Sequence, residues 1–294
     1  MPNKIATVDK VKIISLVNNS PKYDTYLKGC FGVSFWIEVQ SGNKKKIILF
    51  DVGPIVEPLI YNAKMLGLNL AHVDMIVLSH CHFDHTAALS GVISEIGHQV
   101  PIFAHPDIFR PNFVLKPEFM NYAMVCENSK ENIERLGGYF ILCKSPIEPF
   151  PGVLITGEVE RTTPFEEHGG VSCLTIDKIG SLVPDRLQDD FSLVINVAQK
   201  GLVIITGCGH SGVVNIIKHS IKHSGIGQVE GIIGGFHLLE ANQERVDSTV
   251  EAVKQFSPNW VAPTHCTGVI PTGKFALAFK NKFIEVNAGD IIEL

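Results

Sequence analysis

The chain has 294 residues, 45% of them hydrophobic and 19% charged, with a formal net charge of −5. This supplies ample core for one large α/β domain or two smaller ones, and the acidic balance argues against a broad nucleic-acid-binding face. No apolar run reaches membrane-spanning length, no signal-peptide core opens the chain, and seven cysteines lack framework spacing, so the expectation is a soluble, cytoplasmic protein without a membrane partner.

Short β-branched runs predict strands at 12–17 (KIISLV), 34–39 (SFWIEV) and 46–52 (KIILFDV). A helix is predicted over 54–67, with Pro54 near its start and Ile55, Leu59, Ala63 and Leu66 on one face. A strand at 75–79 (MIVLS) follows, then a helix over 86–97 with Leu89, Val92, Ile93 and Ile96 aligned and Gly97 closing it. Segment 106–137 is rich in Phe, Met and Pro. It reads as a helical excursion, with a helix over 128–136, serving as a lid, an oligomer contact or packing on the core. Strands follow at 139–143, 192–198, 201–206, 260–264 and 283–286, the second and third joined as a hairpin by Gln199-Lys200. Helices are predicted over 211–223 and 242–256, with Val214, Ile217 and Ile221, and Val246, Val250 and Val253, as their apolar stripes. Strand meanders interleaved with helices predict two packed sheets with helices outside, in a single domain over 1–294.

The densest chemistry lies in "IVLSHCHFDHTAAL", where His80, His82, Asp84 and His85 fall within six positions between a buried strand and a helix. In extended chain, i and i+2 side chains share a side, so His80 and His82 can grip one cation. Asp84 and His85 follow in a tight turn, aimed at a neighbouring position. A lone histidine is usually a structural group, but four such residues at one strand end fit a metal site better. The donor types suit zinc, and also iron or manganese. His265 ends another buried strand, in "PTHCTG". In "TGCGHSG", Cys208 and His210 face one side if extended, and thiolate is a good zinc ligand.

"SHCHFDH" resembles the H-x-H-x-D-H signature of the metallo-β-lactamase superfamily, and "FDVGP" resembles that family's strand-end F-D-x-G. "NAKMLGL", "GEVERTTPFE", "TGCGHSGVVNII", "GGFHL" and "PTHCTG" are similar to one subgroup, the 7,8-dihydropterin-6-methyl-4-(β-D-ribofuranosyl)-aminobenzene-5'-phosphate synthase-like proteins. The resemblance implies an αββα four-layer sandwich and two divalent metal ions, zinc first and iron or manganese as alternatives. It implies His80 and His82 on the first ion, Asp84 and His85 on the second, and His265 as the last ligand. Cys208 stands where the family carries a bridging aspartate. The third imidazole of the first site is His210 or, ranked below it, His168.

His237 follows a double glycine and reads either as a substrate-facing histidine or as a helix-start residue. His219 and His223 read as a wet helix face. Alternation turns Cys81 and Cys266 away from the metals. Arg110, Lys116 and Arg161 are candidates for holding an anion. The expected function is a metal-dependent hydrolase or related transferase that activates water, with Asp84 orienting it. The expected substrate is a small anionic molecule, phosphorylated or pterin-like. Homo-oligomerisation is left open. The alternative is a non-catalytic metal- or ligand-binding protein on the same scaffold.

Overall fold

The computed structural model describes residues 4–115, 117–166 and 173–294. Two large sheets carry the chain. One has seven strands in the order Ile291–Glu293, Lys10–Val17, Ser34–Ser41, Lys44–Phe50, Met75–Val77, Val100–Ala104 and Gly138–Leu142. The other has six, in the order Trp260–Thr264, Val229–Gly235, Gly201–Thr206, Ser192–Val197, Val153–Ile155 and Ile147–Phe150.

The two-residue alternation of the strands builds the layers. Ile13, Ile48, Ile195 and Ile205 point into a core shared by both sheets, where they meet Phe35, Phe50, Val77 and Ile233. Their neighbours Ile14 and Leu49 point the other way, onto Leu59, Leu89, Val92 and Ile93 of the helices Val56–Met65 and Leu89–Ile96. On the far side, Val194 and Ile204 meet Val214 and Ile217 of Val213–Ser224, Val250 of Gln243–Gln255 and Phe275 of Val269–Phe279. The result is the expected α/β/β/α sandwich. No helix among the described residues is long and apolar enough to cross a membrane.

In each sheet the antiparallel meander gives way to parallel strands joined by helices. Lys44–Phe50, Met75–Val77 and Val100–Ala104 run parallel, as do Gly201–Thr206, Val229–Gly235 and Trp260–Thr264. Parallel neighbours send their carboxyl ends to the same edge, where ligands gather in open α/β sheets.

Four departures from the sequence reading have local causes. Residues 283–286 form no strand, and Phe283 makes only an isolated bridge to Val261, while the C-terminal strand lies at Ile291–Glu293. The strand Val229–Gly235 went unread because three of its seven residues are glycine. Those glycines answer packing rather than propensity. A Cβ on Gly231 would fall 1.9 Å from the Trp260 ring. Gly231→Ala is therefore expected to destabilise the protein by about 3 kcal/mol, the upper range for overpacking, which chemical denaturation would read; a loss under about 0.5 kcal/mol would contradict the packing. The helix Val269–Phe279 also went unread, since Val269, Ile270 and Leu277 are exposed and blur its apolar stripe. Segment 106–137 is only partly helical. Its helix is Lys130–Arg135, and Phe113–Val114 and Met120–Asn121 join Leu174–Ile176 and Leu182–Pro184 in a third, four-stranded sheet.

Candidate metal centre

Four strand ends build the site. Met75–Val77 runs out into Ser79, His80 and the short helix Phe83–Thr86, with His82 at its N-cap. Gly201–Thr206 leads into Cys208 and His210, Val229–Gly235 into His237, and Trp260–Thr264 into His265. His237 and His265 have left-handed backbones, with φ of 45° and 52°. Such conformations are costly for residues other than glycine and concentrate at functional sites. Gly207 permits the assembly: a Cβ there would lie 2.2 Å from Ser79 Oγ.

Among the described residues, three groups of donor atoms converge to within 4.8 Å. The first is His80, Cys208 and His210. The second is Asp84, His85, Cys208 and His265, and the third is Cys208, His237 and Cys266. Within the first, His80 Nε2 and His210 Nε2 stand 3.2 Å apart. Within the second, Asp84 Oδ2 is 3.1 Å from His265 Nε2 and 3.4 Å from His85 Nε2, which lies 3.1 Å from Cys208 Sγ. Seven of these eight residues are at most 8% exposed: His80, His85 and His210 at 0%, Cys208 at 3%, Asp84 at 4%, and His265 and Cys266 at 8%.

The outer ring nitrogens fix the tautomers. Asp51 accepts the Ser79 amide on Oδ1 and the Ser79 hydroxyl on Oδ2, both at 2.7 Å. The Ser79 hydroxyl has thus spent its proton and accepts from His80 Nδ1 at 2.8 Å. Asp51 Oδ2 also accepts from His85 Nδ1 at 2.7 Å. Asn19 Oδ1 accepts from Gly32 N and, at 3.0 Å, from His265 Nδ1. In their neutral form His80, His85 and His265 would therefore turn bare Nε2 lone pairs inward. At His265 that lone pair faces a carboxylate oxygen 3.1 Å away with no hydrogen bond between them. Two nitrogens each about 2.0–2.1 Å from a tetrahedral zinc would lie about 3.3 Å apart, close to the His80–His210 spacing. Buried acceptors facing each other call for a cation, and the residues present fit one.

At His80, His82 and His210 the electrostatics favours that neutral form, and at His85 the two carboxylates oppose it. Burial, reinforced by neighbouring histidines, holds His80 and His210 well below the usual imidazole range, and burial pushes His82 down to about 4. Neutral imidazole is the ligating form. Burial would lower His85 too, but Asp84 and Asp51 hold it well above its usual value. Burial would raise Asp84, yet His85 and His265 hold it well below the usual carboxylate range.

His82 belongs to none of the three groups. Its ring packs edge-on against His80 and His210, with centroids 4.5 and 4.9 Å away. Its Nε2 is 3.1 Å from Asn112 Oδ1, while Asn112 Nδ2 donates to Asp185 Oδ2 at 2.7 Å. The amide orientation makes His82 Nε2 the donor and leaves the lone pair on Nδ1. Arg110 holds this scaffold together and is not a free anion receptor: it pairs with Asp185 at 2.6 Å and Asp189 at 2.7 Å, and Asp189 caps the Cys81 amide. Arg161 donates to the carbonyl oxygens of Arg186 and Leu187. Lys116 and His168 lie outside the described residues.

Two further expectations are corrected, for Cys266 and His219, and one of the two readings of His237 is removed. Cys266 does not turn away: the chain leaves extended geometry at His265, and Cys266 Sγ donates to Cys208 O at 3.4 Å. His219 is no wet-face residue, being 4% exposed with Nε2 3.1 Å from Thr156 O. His237 starts no helix; it lies in the loop after Val229–Gly235, its ring centroid 4.2 Å from that of His210 and its Nδ1 buried without a partner. Asn19, Ser79, Asn112 and Asp185 went unread. Only Asp51, inside "FDVGP", carried a signal.

The profile of the metallo-beta-lactamase superfamily matches residues 27–182. A curated relative from Methanocaldococcus jannaschii, 7,8-dihydropterin-6-methyl-4-(beta-D-ribofuranosyl)-aminobenzene-5'-phosphate synthase, is 41% identical over 291 residues, covering 98% of each chain. An uncharacterized protein of the same organism is 30% identical over 261 residues, covering 89% of this chain and 92% of its own. Among solved structures, a metal-dependent hydrolase of the beta-lactamase superfamily superposes with a TM-score of 0.77 at 22% identity, over 97% of this chain and 99% of that one.

Proposed function

Because the chain belongs to the metallo-β-lactamase superfamily, we propose that its strand-end cluster is a binuclear metal centre acting on a small anionic substrate, phosphorylated or pterin-like, as a hydrolase or related transferase. His80, His82 and His210 would hold one divalent ion and Asp84, His85 and His265 the other, with Cys208 between them. Zinc is the first choice for this thiolate- and imidazole-rich set, with iron or manganese as alternatives. The observation that carries the reading is that Cys208 Sγ belongs to two donor groups that otherwise share no residue.

Divalent ions bound there supply Lewis acidity toward a substrate oxygen and make water a nucleophile near neutral pH. The protein's own part is orientation. Asp51, Ser79, Asn19 and Asn112 lock the imidazoles with lone pairs inward, a role whose loss typically costs about 10–100-fold in metal affinity. Asp84 keeps its negative charge beside His85 and His265 and orients the attacking group. His237, next to His210, is assigned to face the substrate. The synthase relative supports the transferase form and a substrate bearing a dihydropterin or a 5'-phosphate.

His82→Ala is expected to lower metal content and turnover together, read by elemental analysis and by assay on phosphoesters, lactones and pterin derivatives. Full metal content in that variant would sink the ligand assignment. Metal-loaded protein inert toward every class tested would favour a binding protein instead.

A further inference from the structure

Four ring contacts run without a break from one half of the centre to the other. Phe31 packs against His265 with centroids 5.2 Å apart, and against Phe83 at 6.5 Å. Phe83 meets Tyr122 at 6.1 Å, and Tyr122 meets His82 at 5.3 Å. The three rings come from three separate segments: the loop before Ser34–Ser41, the metal-binding turn, and the excursion after Val100–Ala104. Phe31 is 54% exposed and the other two are half-buried, so core packing does not account for their alignment.

The wall is also held rigidly to the donors. Gly32, beside Phe31, has φ of 126°, and a Cβ there would lie 2.3 Å from Asp84 O, so the Phe31 loop presses on the metal-binding turn. Phe83 N donates to Tyr122 O at 2.8 Å, and Tyr122 N to Asn112 O at 2.8 Å. Asn112 in turn holds His82. A contiguous aromatic surface fixed beside a polar centre offers stacking to a flat ring while leaving the ring's charged substituent to the cations.

We propose that Phe31, Phe83 and Tyr122, whose tilted rings follow one another from His265 to His82, form a stacking platform for a planar heteroaromatic ring of the substrate beside the metal centre. The proposal rests on the metal-centre reading above and adds the part of the substrate that the metals do not hold. Stacking on aromatic side chains is worth about 1–3 kcal/mol per ring on removal, or about 5- to 150-fold in affinity.

The test is a fluorescence titration of the full, metal-loaded chain with free pterin, repeated with guanosine, and with glycerol phosphate as a ring-free control. Saturable pterin quenching is expected in the unsubstituted protein and in Phe31→Tyr. Phe31→Ala and Tyr122→Leu should each weaken it at least about 5-fold with unchanged metal content and unchanged glycerol phosphate affinity. Binding within about 2-fold of the unsubstituted protein in both variants would overturn the platform, as would no binding of either ring compound to the unsubstituted protein. Failure of the metal centre would register separately, as absent metal in every protein tested.

Discussion

Cys208→Ala is expected to strip both ions at once and reduce turnover to background. Cys208 Sγ sits within reach of His80 and His210 on one side and of Asp84, His85 and His265 on the other. Each ion would lose one of roughly four ligands. Affinity at both positions should then fall by more than the roughly 10–100-fold that losing an outer-sphere partner costs. Cys208→Asp restores a bridging anion and should recover metal binding, whereas His265→Ala should cost one ion only. Elemental analysis of the three variants separates these outcomes. Independent loss of a single ion in Cys208→Ala would show that the thiol does not link the two halves.

Asp51→Asn should damage the centre without touching a ligand. Asp51 is fully buried and accepts three hydrogen bonds, from the Ser79 amide, the Ser79 hydroxyl and His85 Nδ1. Its φ of 57° is left-handed, which asparagine tolerates, so the backbone survives the exchange. An amide offers one accepting oxygen, and its NH₂ then faces two donors. The His85 ring loses its anchor, and metal affinity is expected to fall about 10–100-fold. The unsatisfied buried groups should also cost about 1–3 kcal/mol each in stability. Competition with a chelator and chemical denaturation read the two effects, and unchanged metal affinity would remove Asp51 from its positioning role.

Local pattern carried much of this. The alternating runs around Ile13, Ile48 and Ile205 gave the strands and their faces, because a period of two is written in adjacent residues. His80, His82, Asp84 and His85 were legible as donors for a similar reason: a strand end followed at once by a helical turn leaves four close neighbours only one edge to occupy. Where glycine broke the pattern, at Gly231 and Gly234, the strand was missed, since the reason for each glycine is a Trp260 ring or a Thr206 carbonyl supplied by another strand.

By itself, then, the sequence determined the layered α/β/β/α architecture, the histidine cluster and the candidacy of Cys208, His210 and His265. Only the tertiary structure decided what those residues do to one another. It joined Asn19 to His265 across 246 residues, Asp51 to His85 across 34 and Asn112 to His82 across 30. It turned Cys266 toward Cys208 and aligned Phe31, Phe83 and Tyr122 beside the centre. The physical reason is that hydrogen bonds and ring contacts depend on distance and angle in space. Chain separation records neither until the sheets have brought their carboxyl ends to a common edge.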